Sequence, residues 1–425
     1  MKTLIATTLL LGSMASYAGQ VRLTDEQQLG ERLYSDKNLS LNRNQSCASC
    51  HSLKPAYAKQ RQTKLVPGFV DPDNVKNGTA VSKGSVDGLT GTLNAPSVGY
   101  AGFSPEFHFD EEEGLYVGGQ FWNGRALNLI EQAKGPFLNP VEMALPDIAE
   151  FINRLMQDEK YQRLFNEVYG INLNELDGSS GQQAKVFDAA ATAISAFEQS
   201  PIFNKFNSKF DYVLKGRARF TPLEAKGFEV FNGNGNCAAC HISEATYDEN
   251  DNIIQPPLFT DFTYDNIGLP RNVNISGSPD EGLGGQLRNK GLEKILFETE
   301  IGKHKVMSLR NIALTAPYGH NGSMATLEQI VHFYNTRDTL GYVDDVNHPR
   351  FGKTGWPAPE EFYDEDTGER IDTVNTEELG DLGLTRLEEK ALVAFLKTLT
   401  DDYPIWGHDR HVPPGTPSPY KLPKR

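Results

Sequence analysis

The residues best suited to chemistry in this chain are Cys47-Ala48-Ser49-Cys50-His51 and a second copy of the same pattern, Cys237-Ala238-Ala239-Cys240-His241. Together they use all four cysteines. C-x-x-C-H is the spacing of a c-type haem attachment site. Two thiols add to the two vinyl groups of one porphyrin, and the adjacent histidine turns back to ligate the iron. A single copy would also fit a redox dithiol, part of a zinc site, or chance. Two copies with no cysteine left over argue against all three. A structural zinc site, moreover, gathers its ligands into one closed tetrahedral cluster, and these pairs lie in opposite halves of the chain. The expectation is two covalent haems, with His51 and His241 as proximal ligands.

Each motif needs helices to hold it. Residues Thr24 to Tyr34 have helical spacing, with Leu29, Leu33 and Tyr34 on one side and Thr24 or Asp25 as N-cap. Thr221-Pro222-Leu223-Glu224 combines a cap, a proline in the first turn and a glutamate three residues on. It starts a helix running to about Phe231, just before the second motif. The two units therefore read as a diverged internal repeat. Further helices are expected over 123–135, 147–168, 184–198, 204–214 and 384–399, while 308–315 and 326–335 flank a loop, 316–325. Residues 52–92 read as a long irregular loop, 245–290 are rich in Gly, Pro, Asp and Asn, and 340–380 form an acidic loop. Periodic strands are nearly absent. The fold expected is mainly α, with two cytochrome c-type haem domains, long irregular loops and few short strands. The boundaries read as 19–200 and 201–400, followed by a Pro-rich tail, 401–425, at the surface.

The chain has 425 residues, 38% of them hydrophobic, and a mean hydropathy of −0.47. No internal apolar run approaches the ~18 residues of a membrane span. Met1-Lys2, the apolar stretch Leu4 to Met14 and Ser16-Tyr17-Ala18 have the layout of a secretory signal, 1–18, cleaved after Ala18. A buried first helix is the alternative. Export suits the haems, because c-type attachment is completed outside the bacterial cytoplasm, so the expected location is the periplasm. A formal charge of −15 argues against nucleic acid or an anionic membrane as partner. It permits steering of a small basic redox protein.

Several separated stretches then point to one family. They are Ser46 to His51, Asn94-Ala95-Pro96-Ser97, Phe121-Trp122-Asn123-Gly124-Arg125-Ala126, Gln132-Ala133-Lys134-Gly135-Pro136, Asn139-Pro140-Val141-Glu142-Met143, Cys237 to His241, and Ser308-Leu309-Arg310-Asn311 with Leu314 to Tyr318. In this order and together, over about residues 22–400, they resemble bacterial di-haem cytochrome c peroxidases and their MauG-like relatives. The resemblance implies a peroxidatic haem on His51 and an electron-accepting haem on His241. It implies that Trp122 lies between them and couples them. It makes Glu142 the distal glutamate that moves protons during peroxide cleavage, with Gln132 and Pro136 at other distal positions. Arg125 would pair with a propionate or with a surface carboxylate. The resemblance also implies a calcium ion between the haems, held by the Asn94 side chain and the backbone carbonyls of Thr315 and Pro317. Few protein oxygens completed by waters suit that ion. The acidic run 110–113 reads as a solvated loop. Family members are often homodimers.

Two departures from the family pattern matter. Many of these peroxidases hold a distal histidine on a mobile loop after the first motif. Here no histidine occurs between His51 and His108, so the N-terminal iron is expected to be open in the oxidised protein. His108 reads as structural or exposed. The usual distal methionine of the second haem aligns with Tyr334, with Met324 and Met307 as rivals. In MauG a tyrosine fills this place, and an anionic oxygen ligand favours highly oxidised states. His320 fits a family histidine near the second haem without being a ligand. The first functional expectation is a periplasmic peroxidase reducing hydrogen peroxide with electrons from a small cytochrome c or cupredoxin. The second is a MauG-like oxidase of a protein side chain or small molecule, against which stands the lack of tryptophan in 201–300. The third is a non-catalytic electron carrier, which would leave Glu142 without a role.

Overall fold

Gly30 and Gly227 mark two places where helices cross too closely for any side chain. The helix Asp25–Ser35 crosses Ser180–Glu198. A Cβ at Gly30 would lie 1.9 Å from the Ala193 carbonyl oxygen and 2.8 Å from the Phe197 Cβ. The helix Pro222–Asn232 crosses Arg386–Lys397 in the same way. There a Cβ at Gly227 would lie 1.9 Å from the Ala391 oxygen and 2.8 Å from the Phe395 Cβ. Small residues let two backbones approach closely, and the aromatic ring four residues on fills the space beside the crossing. The same contact recurs in the two helix pairs, at Gly30 and at Gly227. Capping boxes at Thr24–Gln27, Thr221–Glu224 and Thr385–Glu388 fix where three of these helices begin.

This architecture comes from a computed structural model that describes residues 22–55, 66–250 and 252–420. The expected signal, 1–18, lies outside them. After each leading helix a short loop delivers the cysteine motif, on the turn Cys47–Cys50 and on the 3-10 turn Cys237–Ala239. The His51 amide donates to the Cys47 carbonyl at 2.8 Å, and the His241 amide to the Cys237 carbonyl at 2.9 Å. One cluster of buried side chains surrounds the first motif and includes Leu33, Phe137, Phe151, Phe187 and Phe197. A second surrounds the other, with Phe231, Phe259, Met324, Phe333, Trp356 and Phe395. The protein is mainly α. Strands among the described residues run two or three residues and pair only two by two.

The two clusters are locked together by buried polar groups. Tyr100 Oη donates to Asp401 at 2.9 Å and accepts from the Phe206 amide at 2.9 Å. Asn311 donates to the same carboxylate at 2.8 Å. Beside them Arg310 makes a two-pronged ion pair with Asp211, and both side chains are fully buried. Such a pair holds geometry more than it adds stability, because desolvation offsets much of the attraction.

Local differences from the sequence expectation have visible causes. The single helix expected over 147–168 is two, Ile148–Met156 and Glu159–Tyr169. Asp158 breaks it by capping the second with its own side chain. The helix expected from Asn204 starts only at Lys209, where Ser208 and Asp211 form a capping box. The 52–92 stretch contains a short helix, Pro72–Asn77, capped by Asp71. The tail does not simply lie on the surface. Tyr403 and Val412 are buried against Tyr212, and Tyr420 packs on Phe206. No helix among the described residues is long and apolar enough to cross a membrane.

Replacing Gly30 or Gly227 by alanine is expected to cost about 1–3 kcal/mol through overpacking against a helix backbone. Gly181→Ala, where nothing lies within 4 Å, should be neutral or slightly stabilising. Urea midpoints of the three variants test this.

Candidate functional site

The first cysteine motif opens onto a cavity of about 480 Å³. Its wall brings together residues that are far apart in the chain. They include Cys47, Cys50 and His51 from the motif, and Asn94, Trp122, Arg125, Gln132, Pro136 and Glu142 from the next hundred residues. Met307, Thr315 and Pro317 come from the other half. Every residue expected around the N-terminal haem and the calcium ion is therefore at one place.

The two proximal histidines suit metal ligation. Burial lowers His51 to about 4 and His241 to about 4, so each ring is neutral at ordinary pH. His241 Nδ1 sits 2.9 Å from the Phe259 carbonyl. That hydrogen bond fixes the tautomer and leaves Nε2 for a metal. His51 Nδ1 is buried without a hydrogen-bond partner, with the Phe69 and Pro96 carbonyls beside the ring. None of the four cysteines forms a disulfide. Burial pushes Cys50, Cys237 and Cys240 up to about 12. A redox dithiol needs a depressed thiol pKa, so the C-x-x-C pairs do not fit that use. The cavity, the paired thiols and the neutral histidine all fit a covalent haem.

Glu142 stands in the same cavity. Burial raises its carboxyl, while Arg125 and a hydrogen bond from Asn139 act in the other direction. Asn139 Nδ2 donates to Glu142 Oε1 at 2.8 Å, which leaves Oε2 as the oxygen able to carry a proton. Gln132 and Pro136 come from the helix Leu129–Leu138, whose cap is Asn128. Arg125 pairs with no carboxylate among the described residues. Its guanidinium instead lies 3.4 Å from the centre of the Phe121 ring and donates to Asn123 Oδ1 at 3.1 Å.

Trp122 is tied to both halves. Its indole N–H donates to the Asn94 carbonyl at 2.8 Å, and its own carbonyl accepts from the Lys305 amide at 2.7 Å. Its ring meets His320 edge-on at 6.5 Å. His320 stacks flat on His304, with ring centres 3.6 Å apart. Glu360 and Asp280 hold the outer edges of that stack at 2.9 and 3.3 Å. Asn94 donates from Nδ2 to the Ala80 carbonyl at 2.7 Å, so Oδ1 is its remaining acceptor. No described residue donates to the carbonyl oxygens of Thr315 or Pro317. Three oxygens lining one cavity are thus left without hydrogen donors, as a hard cation requires.

Around the second motif, Tyr334 packs against the cluster that also holds Cys237 and Ala238. Burial raises its phenol, and the neighbouring charges of Asp265, Cys240 and Cys237 raise it further. Of the rivals, Met307 lines the first cavity instead. Met324 is fully buried in the second cluster. Asp265 and Glu378 lie close enough to Cys240 for the three to share one ion. Trp356 also packs in this cluster, 5.2 Å from Phe333. The 201–300 stretch lacks tryptophan, yet folding supplies one to that half. His108 is exposed on a hairpin whose turn holds the acidic run. Sequence reasoning missed the His304–His320 stack, the Arg125–Phe121 pair, and two buried ionisable groups. Lys305, lowered to about 7 by burial, donates to the Gly119 carbonyl and the Ser104 hydroxyl. Glu198 lines the first cavity, and its Oε2 has no partner.

Comparisons with known proteins agree with this geometry. The profile of the "Di-haem cytochrome c peroxidase" family matches residues 24–219. The methylamine utilization protein MauG of Paracoccus denitrificans is 38% identical over 405 residues, covering 93% of this chain and 94% of that protein. The cytochrome c peroxidase Ccp of Escherichia coli is 32% identical over 311 residues, 72% of this chain and 53% of its own. Among solved structures, the diheme peroxidase BthA of Burkholderia thailandensis has a TM-score of 0.68 at 26% identity, over 90% of this chain and 88% of its own. A MauG-like protein associated with microbial copper homeostasis has 0.57 at 28%, over 94% of each.

Burial raises Glu198 from 4.5 to about 8. The folded protein therefore keeps this proton where the unfolded chain has released it. Its contribution to stability is largest below 4.5 and is lost as pH rises through 8. Urea midpoints at pH 5 and pH 8 should show a fall in the wild type that is smaller in Glu198→Gln. An identical fall in both would contradict the assignment.

Proposed function

The chain belongs to the di-haem cytochrome c peroxidase and MauG family, and from that premise we propose that it is an exported di-haem peroxidase. It reduces hydrogen peroxide to water in the periplasm, with electrons from a small cytochrome c or cupredoxin. The observation that carries the reading is Glu142, a half-buried carboxyl with one unengaged oxygen, facing the same cavity as His51.

Two haems, one on Cys47, Cys50 and His51 and one on Cys237, Cys240 and His241, supply the redox chemistry when bound. The chain's own residues do the rest. His51 and His241 present neutral rings because burial disfavours their protonated forms. Peroxide reduction consumes two electrons and two protons, so a proton carrier must stand beside the oxidant. Glu142 takes the proton from the near peroxide oxygen at Oε2 and returns it to the departing one. Asn139 holds Oε1, which fixes the direction of Oε2. Its raised pKa brings the carboxyl nearer the pH at which it must work in both directions. Gln132 offers an amide to the same space. Trp122, held between the halves by Asn94 and Lys305, is the aromatic bridge between the two redox centres. Asn94, Thr315 and Pro317 would hold a calcium ion. Tyr334, packed against the cluster around the second motif, would be a further residue holding the C-terminal haem.

One alternative has support of its own. Tyr334, the carboxylates Asp265 and Glu378 near Cys240 and the buried Trp356 all favour electron-poor states in the second half. That suits a MauG-like oxidase of a protein side chain or small molecule. Steady-state turnover decides between them. Peroxide with a reduced small cytochrome should give sustained oxidation of that cytochrome. Glu142→Gln should lower kcat/KM for peroxide about 10²–10⁴-fold with both haems still attached. Absence of turnover in the wild type, with peroxide still consumed, would favour the oxidase.

A further inference from the structure

A second cavity, of about 460 Å³, lies outside the first. The two share Phe121, Arg125, Asn139 and Glu142. These four side chains are therefore the partition between the haem cavity and an outer chamber. The chamber is surface-facing. Leu127 is 45% exposed there, and Gly135 and the rim residue Glu131 are also exposed. Its far side carries Lys290, whose Nζ lies 4.6 Å from the centre of the Phe107 ring.

The partition is unevenly held. Glu142 and Asn139 are fastened to each other, and Asn139 Oδ1 also accepts from the Val141 amide at 3.2 Å. Arg125 touches the Phe121 ring and donates one hydrogen bond to Asn123, while Glu142 and Asp280 act on it through charge without a salt bridge. Arg125 is also the one exposed member of the four, so its long side chain can swing at least cost. Two cations, Arg125 and Lys290, face two carboxylates, Glu131 and Glu142, so the chamber favours neither sign of charge.

We propose that this outer chamber is the port through which a small uncharged hydroperoxide reaches Glu142, and that Arg125, resting on Phe121, is its gate. Access by this path delivers the oxidant first to the unengaged oxygen of Glu142. The proposal rests on the reading of Glu142 as the distal proton carrier beside an open iron.

Gly135 gives a clean test. It lines the chamber but not the inner cavity, and a Cβ there would meet Phe121 Cζ at 3.5 Å, an ordinary contact. Gly135→Leu fills the chamber without forcing the backbone, and Gly135→Ala is the milder version should the leucine variant fail to fold. The probe is hydrogen cyanide, small and uncharged at neutral pH like hydrogen peroxide, followed by stopped-flow of the Soret band of the diferric holoprotein. A plugged path slows arrival and departure by the same factor and leaves Kd unchanged. Gly135→Leu is expected to slow both about tenfold, as gating residues do, with a smaller slowing in Gly135→Ala. Arg125→Ala is expected to speed both. Equal rates in wild type and Gly135→Leu, or a changed Kd at an unchanged association rate, would overturn the gate and leave the peroxidase reading intact. A wild type that does not respond to cyanide would overturn both.

Discussion

A histidine can hold a metal only as a neutral imidazole, and at the residue after each cysteine pair neutrality comes from burial. His51 and His241 are both lowered to about 4 by loss of solvent. That environment is made by the two helix crossings, which press aromatic clusters against the motifs. The crossings in turn require glycine at positions 30 and 227, because the facing backbone occupies the space of a side chain. The dependence runs from two glycines, through two packed clusters, to two histidines that present a free nitrogen rather than a charge.

The halves share this scaffold and diverge at what faces the histidine. The first keeps a cavity with a polar, titratable lining. Around the second motif stand Tyr334 and the aromatic cluster of Phe231, Phe259 and Phe333. Trp122 sits at the seam. Its contacts to Asn94, Lys305 and His320 belong to both halves, so a change in their relative position would be felt at the indole first.

Much of this was legible in the sequence, for definite reasons. Attachment of a macrocycle demands fixed cysteine and histidine spacing, so Cys47 to His51 and Cys237 to His241 stood out alone. Capped helices with three- and four-residue apolar spacing announced the scaffold. Glu142, Trp122 and Asn94 carried no local signal and were placed only by resemblance to a family. What stayed hidden depends on contacts between distant segments. The His304–His320 stack joins residues on separate loops. Glu198 is buried at the end of the helix Ser180–Glu198, by packing that its own place in the apolar spacing does not announce. The break at Asp158 shows a local side-chain cap overriding a longer apolar period. Trp356 reaches the second cluster from a loop that looked featureless.

The account stands or falls on the difference between its two metal centres, and an EPR spectrum of the resting diferric holoprotein reads that difference directly. The prediction is one high-spin ferric signal from a centre with a vacant position, beside one low-spin signal whose anisotropy reports an oxygen ligand opposite histidine. Two low-spin signals would contradict it, since neither iron would then be free to meet an oxidant.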